Sequence, residues 1–252
     1  MPALMLLFAL QSPPPPADTL LFPPRESVMR LYTDCDEARW PWGIEEVFVP
    51  KTAEEIVQGV ARRRALEAAW REHYRQQTGD SLPPTTFDRW AYPLAVRGRL
   101  LDNFANPREG TLHEALDIFT VEGTVVRSPV NGVVVAAGDN WRGGYTRRRG
   151  FFYEGDGLSR RAGNAVIVFD PGRGGYFLFS HLRRGIRART GDIVRRGQVI
   201  GRVGHTGNAA YPGRGKHLHF AYKEPGTECG VEGVLMAVDP YPVVRAARQR
   251  LR

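Results

Sequence analysis

Two histidines stand two residues apart near the end of the chain, at His217 and His219. Polar and apolar residues alternate over 217–220, a pattern typical of a β-strand with one buried face. Side chains two apart in a strand project from the same face, about 6.5–7 Å from each other. Leu218 and Phe220 would then point into the opposite, apolar layer. Two imidazoles on one face can divide a task, because one can bind a metal ion while the other exchanges protons with nearby water.

A second group of this kind is His113 with Asp117, four residues further on. The spacing is similar to the His-Glu-x-x-His of helical zinc sites, with aspartate in the last place. A helix is disfavoured because residues 118–126 have a strand–turn–strand composition. We therefore expect His113 on a loop that enters a strand and Asp117 within that strand. Together with His219 they would provide three zinc ligands and leave a fourth position open, which distinguishes a catalytic zinc site from a structural one.

The elements that must position these side chains begin after about residue 100. From there on, short apolar runs rich in Val, Ile, Phe and Tyr are bounded by glycine, asparagine and proline. This pattern predicts the strands of an antiparallel β domain over residues 101–242; the runs are 124–127, 132–136, 165–169, 176–179, 199–203 and 218–222. The arginine-rich residues 141–161 predict a long surface loop.

The first hundred residues have a different texture. Residues 21–100 predict a small helical subdomain, in which Thr52 and Glu55 form a capping box and Gly79 is a C-terminal stop. Between them a helical stripe of apolar side chains is expected at Ile56, Val57, Val60, Leu66, Trp70 and Tyr74. Residues 1–20 combine a short apolar stretch with four prolines and are interpreted as a signal-like, proline-rich leader. Residues 243–252 are expected to be a basic tail.

Composition excludes several classes of protein. With 252 residues, 42% hydrophobic and 25% charged, the chain is not disordered throughout, and no integral membrane segment is expected because no apolar run approaches about 20 residues. The net charge is +8, and nearly all of the positive charge comes from arginine. We interpret this charge as a solvated surface and expect no nucleic-acid partner. Cys35 and Cys229 are too few for a disulfide scaffold, and they form either one bridge or two separate thiols.

Beyond the isolated residues, the second half resembles the LytM/lysostaphin-type zinc metallopeptidases, a family of peptidoglycan endopeptidases. The resemblance spans about residues 101–242, and its motifs follow the family's order. They are 128–134 after the first ligand pair, 163–168 followed by 179–182, the turn 190–201, the segment 204–207 leading into 217–220, and 238–240. It implies a mainly β, antiparallel, lysostaphin-like peptidase domain of β-sandwich or open-barrel type, preceded here by the helical subdomain.

The resemblance also implies roles for five residues. His113, Asp117 and His219 would bind one zinc ion per chain, and His181 and His217 would be the two catalytic histidines, with the division of labour between these two left open. The family often has glycine where this chain has Ala115, which would be strained if that position needed a positive φ.

The function that follows from the resemblance is hydrolysis. A zinc-dependent endopeptidase would cut peptide bonds in the stem or cross-bridge peptides of peptidoglycan, with zinc-activated water as the nucleophile and histidine as general acid and base. Such an enzyme works outside the cytoplasm, in the periplasm, in the cell envelope or as a secreted protein. The alternative is a non-catalytic module of the same fold that binds peptidoglycan or activates another hydrolase.

Overall fold

The computed structural model describes residues 21–24, 28, 35–39, 47–82, 86–108 and 111–251. The leader expected at residues 1–20 lies outside the described residues. Within them the chain forms sixteen strands and two α-helices, besides two short 3-10 turns. No helix in these described ranges is both long enough and apolar enough to cross a membrane.

The strands are short, and most follow one another along the chain with only turns or loops between them, as the turn-rich sequence predicts. In chain order they are β1 Asp36–Arg39, β2 Val47–Pro50, β3 Arg99–Leu100, β4 Pro107–Arg108, β5 Thr111–Leu112, β6 Leu116–Phe119, β7 Val125–Arg127, β8 Gly132–Gly138, β9 Arg142–Thr146, β10 Gly150–Glu154, β11 Asn164–Phe169, β12 Tyr176–Leu182, β13 Ile193–Val194, β14 Val199–Arg202, β15 His217–Glu228 and β16 Val231–Ala237. The helices are α1 Ala53–Thr78 and α2 Tyr241–Gln249, and α2 covers most of the segment that was expected to be a tail.

The centre of the fold is an eight-stranded sheet in the order β13-β8-β11-β12-β15-β6-β3, with β16 paired to β15. Every pairing within it is antiparallel. The expectation of a mainly β, antiparallel fold with a helix on its N-terminal side is confirmed. The predicted strands all form; β15 runs six residues beyond the predicted end at 222, and the others differ by at most three residues at either end.

Both faces of the sheet are buried, because successive residues of its strands enter two different cores. On one face Phe177, Phe220 and Tyr222 pack with Trp90 and with residues of α2. On the other face Tyr176 packs with residues of α1. The strands therefore read as continuous apolar runs, and a polar side chain on either face stands out.

Helix α1 lies against the second face. Its capping box at Thr52 and Glu55 and its left-handed C-cap at Gly79, with φ 69°, are confirmed. The buried stripe is spaced 4-3-4-3-4 and consists of Ile56, Val60, Arg63, Glu67, Trp70 and Tyr74. Val57, expected in this stripe, is 53% exposed instead. The boundaries proposed at residues 20, 100 and 242 stay a prediction.

Two positions of that stripe carry opposite charges. The guanidinium of Arg63 donates to Glu67 over 2.9 Å and also to the carbonyl of Gly233 in β16. The hydroxyl of Tyr176 in β12 donates to the same Glu67 oxygen over 2.8 Å. The pair is buried but satisfied, since both charges find partners on the sheet.

The two cysteines form a disulfide, which settles the alternative that the sequence leaves open. Cys35 and Cys229 have Cα atoms 6.3 Å apart and join the chain just before β1 to the turn between β15 and β16. The N-terminal segment is thereby tied to the far end of the strand that begins at His217.

One expectation about a loop is wrong. Residues 141–161 contain the antiparallel hairpin β9–β10 rather than only a surface loop. The strand β9 has the sequence Arg-Gly-Gly-Tyr-Thr, which lacks the β-branched apolar alternation by which strands are recognised. The hairpin is fixed to the rest of the domain by a stack of Phe151 on Tyr211, with ring centroids 4.1 Å apart.

Candidate metal centre

Three of the predicted site residues lie together at the edge of the second face. His113 lies on the loop between β5 and β6, and Asp117 lies within β6. The register of β6 and β15 places Asp117 directly opposite His219. Antiparallel pairing thus joins Asp117 to His219, 102 positions further along the chain. The short loop that precedes β6 brings His113 to the same place.

The ligand atoms of these residues form a nearly equilateral triangle. Oδ1 of Asp117 lies 3.2 Å from Nε2 of His113 and 3.2 Å from Nδ1 of His219, and the two nitrogens are 3.4 Å apart. Zinc bonds to nitrogen and oxygen of about 2.0–2.1 Å in tetrahedral geometry require ligand atoms about 3.3–3.4 Å apart. The three atoms therefore fit a zinc ion without rearrangement, and they occupy only three of its four corners.

Backbone carbonyls determine which ring nitrogen each histidine presents. Nδ1 of His113 lies 2.8 Å from the carbonyl of Asn103, and Nδ1 of His217 lies 2.7 Å from that of Gly215. Each carbonyl requires a proton on Nδ1, which leaves Nε2 with its lone pair. His219 differs, because its Nδ1 faces Asp117 and is the nitrogen at the triangle's corner.

The carboxylate of Asp117 uses its two oxygens differently. Oδ2 accepts hydrogen bonds from Nη2 of Arg108 over 2.8 Å and from Nδ2 of Asn103 over 3.2 Å. Oδ1 faces the histidines. Burial disfavours the charged form of Asp117, but hydrogen bonds with His113 and His219 outweigh it and hold the pKa of this carboxyl well below its usual range. The group is an anion at any pH near neutrality.

His181 and His217 lie beside the triangle and not at its corners. Their ring centroids are 4.9 Å apart, and Nε2 of His217 lies 3.5 Å from Oδ1 of Asp117. Burial lowers the pKa of His181 well below its usual value, and the neighbouring His217 and His219 lower it further. Burial likewise lowers the pKa of His217. Both imidazoles are therefore neutral at pH 7 and able to accept a proton.

The backbone of His181 is unusual. Its φ of 62° lies in the left-handed region, which costs a non-glycine residue of order 1–3 kcal/mol. Its N–H donates to Ala162, its carbonyl accepts from Gly204, and its Nδ1 lies 2.9 Å from the carbonyl of Thr206. These three bonds hold a strained residue in one orientation beside the triangle.

Other positions in this half of the chain fall outside the cluster. Glu114 is exposed and pairs with Lys223 over 3.0 Å. Ala115, within this loop, does not have the positive φ that would have strained it. His205 bonds the carbonyl of Arg214 at the surface.

Sequence reasoning missed the groups around the ligands. Asn103 and Arg108 both contact Asp117, but Asn103 lies in a turn-like stretch and Arg108 is one of many arginines. Neither position has a spacing or composition that marks it. The carbonyls that orient His113, His181 and His217 belong to the backbone, so the residue types in the sequence do not reveal them.

The fold brings two histidines and an aspartate to one point, with two further histidines beside them, and these are residue types that bind zinc in proteins. Residues 111–230 match the model of peptidase family M23. This stretch of the chain is therefore a peptidase M23 domain.

Similar proteins include two relatives by sequence and one solved structure. The chain is 37% identical over 143 residues to the L-Ala–D-Glu endopeptidase of Bacillus subtilis (strain 168), an alignment that covers 54% of this chain and 35% of that protein. It is 30% identical over 159 residues to lysostaphin of Staphylococcus staphylolyticus, covering 63% and 25%. The chain thus spans about a third or less of either relative's length. The solved structure of the antimicrobial peptidase lysostaphin from Staphylococcus simulans aligns at 22% identity with a TM-score of 0.41, covering 63% of this chain and 56% of that one.

Proposed function

We propose that this chain is a zinc-dependent endopeptidase that hydrolyses peptide bonds in the stem or cross-bridge peptides of peptidoglycan. The observation that carries the proposal is the triangle of ligand atoms with edges of 3.2, 3.2 and 3.4 Å, beside two neutral histidines. In this proposal His113, Asp117 and His219 hold the ion, and His181 and His217 are the catalytic residues.

The chemistry divides between the ion and the chain. Zinc held by such a set supplies Lewis acidity, which lowers the pKa of water to about 7 and polarises a carbonyl. His181 and His217 supply what the ion cannot: a neutral imidazole accepts a proton from water, and the resulting imidazolium returns it to the leaving amine. The carbonyls of Thr206 and Gly215 hold a proton on Nδ1 of each ring, so that Nε2 is the nitrogen that exchanges it.

The substrate class is supported by the family. Homologues in family M23 are peptidoglycan hydrolases, and one relative is named for a linkage between L-Ala and D-Glu. The disulfide between Cys35 and Cys229 supports the extracytoplasmic location that such a substrate requires, because disulfides persist in oxidising compartments.

The test combines metal content with product analysis. The 252-residue chain is loaded with zinc, its metal content is measured, and it is incubated with purified cross-linked peptidoglycan and, separately, with casein. We expect one zinc per chain, new amino termini in the peptidoglycan, and loss of this activity with a chelator and its recovery with added zinc. Mass analysis of the released fragments identifies the linkage.

Two results would contradict the proposal. A zinc-loaded chain that binds peptidoglycan but releases no amino termini would be a non-catalytic module of the same fold. Turnover of casein without turnover of peptidoglycan would make it a peptidase of proteins.

A further inference from the structure

Asn103 contacts two of the three residues that form the triangle. It lies between β3 and β4, outside the strands that carry the ligands, and is buried, with 7% of its surface exposed. Its backbone carbonyl bonds to His113, and its side chain bonds to Asp117. One residue therefore touches both ligands that come from the loop and strand around β6.

The contact with His113 is part of a short backbone ladder. The amide of Ala105 donates to the carbonyl of His113 over 2.8 Å, and the amide of His113 donates to Asn106 over 3.0 Å. Between these bonds the carbonyl of Asn103 lies 2.8 Å from Nδ1 of the His113 ring. Backbone and ring are thus held from the same turn, which directs Nε2 toward the triangle.

The contact with Asp117 runs through both ends of the Asn103 amide. Oδ1 of Asn103 accepts the backbone N–H of Asp117, and Nδ2 donates to Oδ2 of its carboxylate, each over 3.2 Å. An asparagine amide can do both only in one orientation. Arg108 donates to the same Oδ2, so this oxygen is engaged away from the histidines while Oδ1 remains on the triangle.

We propose that Asn103 is a positioning residue that keeps Asp117 a one-oxygen ligand and aligns it with Nε2 of His113. The inference rests on the proposed zinc site and deepens it. Without the amide, Arg108 alone would restrain Oδ2, and the carboxylate would be freer to rotate about its last bond and bring this oxygen toward a bound metal. Hydrogen bonds that orient ligands in this way typically change metal affinity by about 10- to 100-fold.

The experiment compares Asn103→Ala and Asn103→Leu with the wild-type chain. The first variant removes the amide, and the second replaces it with an apolar group of similar size. Asn131→Ala is the matched control, because the side chain of Asn131 also accepts a backbone N–H, that of Arg196. For each protein the zinc dissociation constant is measured by competition with a chromophoric chelator, the visible spectrum is recorded with Co²⁺, and the Tm is measured without metal.

We expect both Asn103 variants to bind zinc about 10- to 100-fold more weakly and to show a weaker, shifted Co²⁺ band, as coordination number rises above four. The control should match wild type. Zinc affinities within about twofold of wild type, whatever the Tm, would overturn the positioning role. So would the failure of both variants to fold while the control folds, because Asn103 would then act on the fold. A wild-type chain that binds no zinc would instead refute the proposed metal site itself.

Discussion

His217 and His219 permit a matched experiment, since they lie on the same face of one strand two residues apart. The structure gives them different surroundings. Nδ1 of His219 is a corner of the ligand triangle, 3.2 Å from Oδ1 of Asp117. The nearest nitrogen of His217 is Nε2, at 3.5 Å from that oxygen, and its other nitrogen is occupied by the carbonyl of Gly215. Replacing each by alanine should therefore have separable effects.

The magnitudes follow from these positions. Structural zinc sites contribute about 10–16 kcal/mol of apparent binding free energy over four ligands, or roughly 2.5–4 kcal/mol per ligand. His219→Ala should therefore weaken zinc binding by about 100- to 1000-fold. His217→Ala removes no corner, so zinc affinity should stay within a few-fold of wild type. Loss of a general acid–base group should still lower kcat by about 100- to 10000-fold.

The assay measures zinc after equilibrium dialysis and the rate of release of new amino termini from peptidoglycan, at saturating zinc, for both variants and wild type. If His217→Ala lost zinc as severely as His219→Ala, the roles of the two histidines would be exchanged. If it kept activity within tenfold of wild type, His217 would have no part in proton transfer. A comparable Tm for both variants excludes unfolding as the cause of either loss.

Three further predictions concern stability. Trp70→Ala should lower the free energy of unfolding by about 3–5 kcal/mol in urea titrations, because its fully buried ring packs on the sheet. The control Val57→Ala, at an exposed position on the same helix, should change the free energy of unfolding by less than about 0.5 kcal/mol. Equal losses in the two variants would contradict the packing of the Trp70 side of α1 on the sheet. Cys35→Ser should destabilise the chain by up to about 5 kcal/mol, the estimate for closing a loop of this length, and an unchanged urea midpoint would show that the bridge contributes nothing. In metal-free protein the pKa values of His181 and His217 are lowered, so below about pH 6.5 the unfolded chain binds more protons than the folded chain. The free energy of unfolding should therefore fall with acidification in this range, by up to about 1.4 kcal/mol per pH unit for each histidine. A Tm that stayed level from pH 7 to pH 5 would refute the burial of these two histidines in the neutral form.

The parts of the site that follow strand periodicity could be predicted from the sequence. Alternation alone places His217 and His219 on one face, and turn composition places Asp117 in a strand. The pairing of Asp117 with His219 could not be derived from spacing, because register depends on which strands become neighbours. It was reached by ligand chemistry and by the family resemblance.

What could not be predicted depends on groups that composition does not distinguish. Asn103 is an ordinary turn residue until the chain folds back over Asp117. Arg63 and Glu67 lie in the buried stripe of α1, although only apolar side chains were expected there, because a charged residue enters a buried stripe only when tertiary partners satisfy it. The β9–β10 hairpin was missed for the opposite reason, as its first strand lacks the side chains that usually indicate one.

The charged pair in α1 has a consequence for how the helix can sit. A wholly apolar stripe could move along the sheet by one turn, about 5.4 Å, and still cover hydrophobic surface. Arg63 and Glu67 prevent this, because they bond to Gly233 and Tyr176 in only one alignment. Any other alignment would leave two buried charges without partners. The two residues thus fix the position of α1 along the sheet. That position depends on matched polar groups as well as on the shape of the apolar surface.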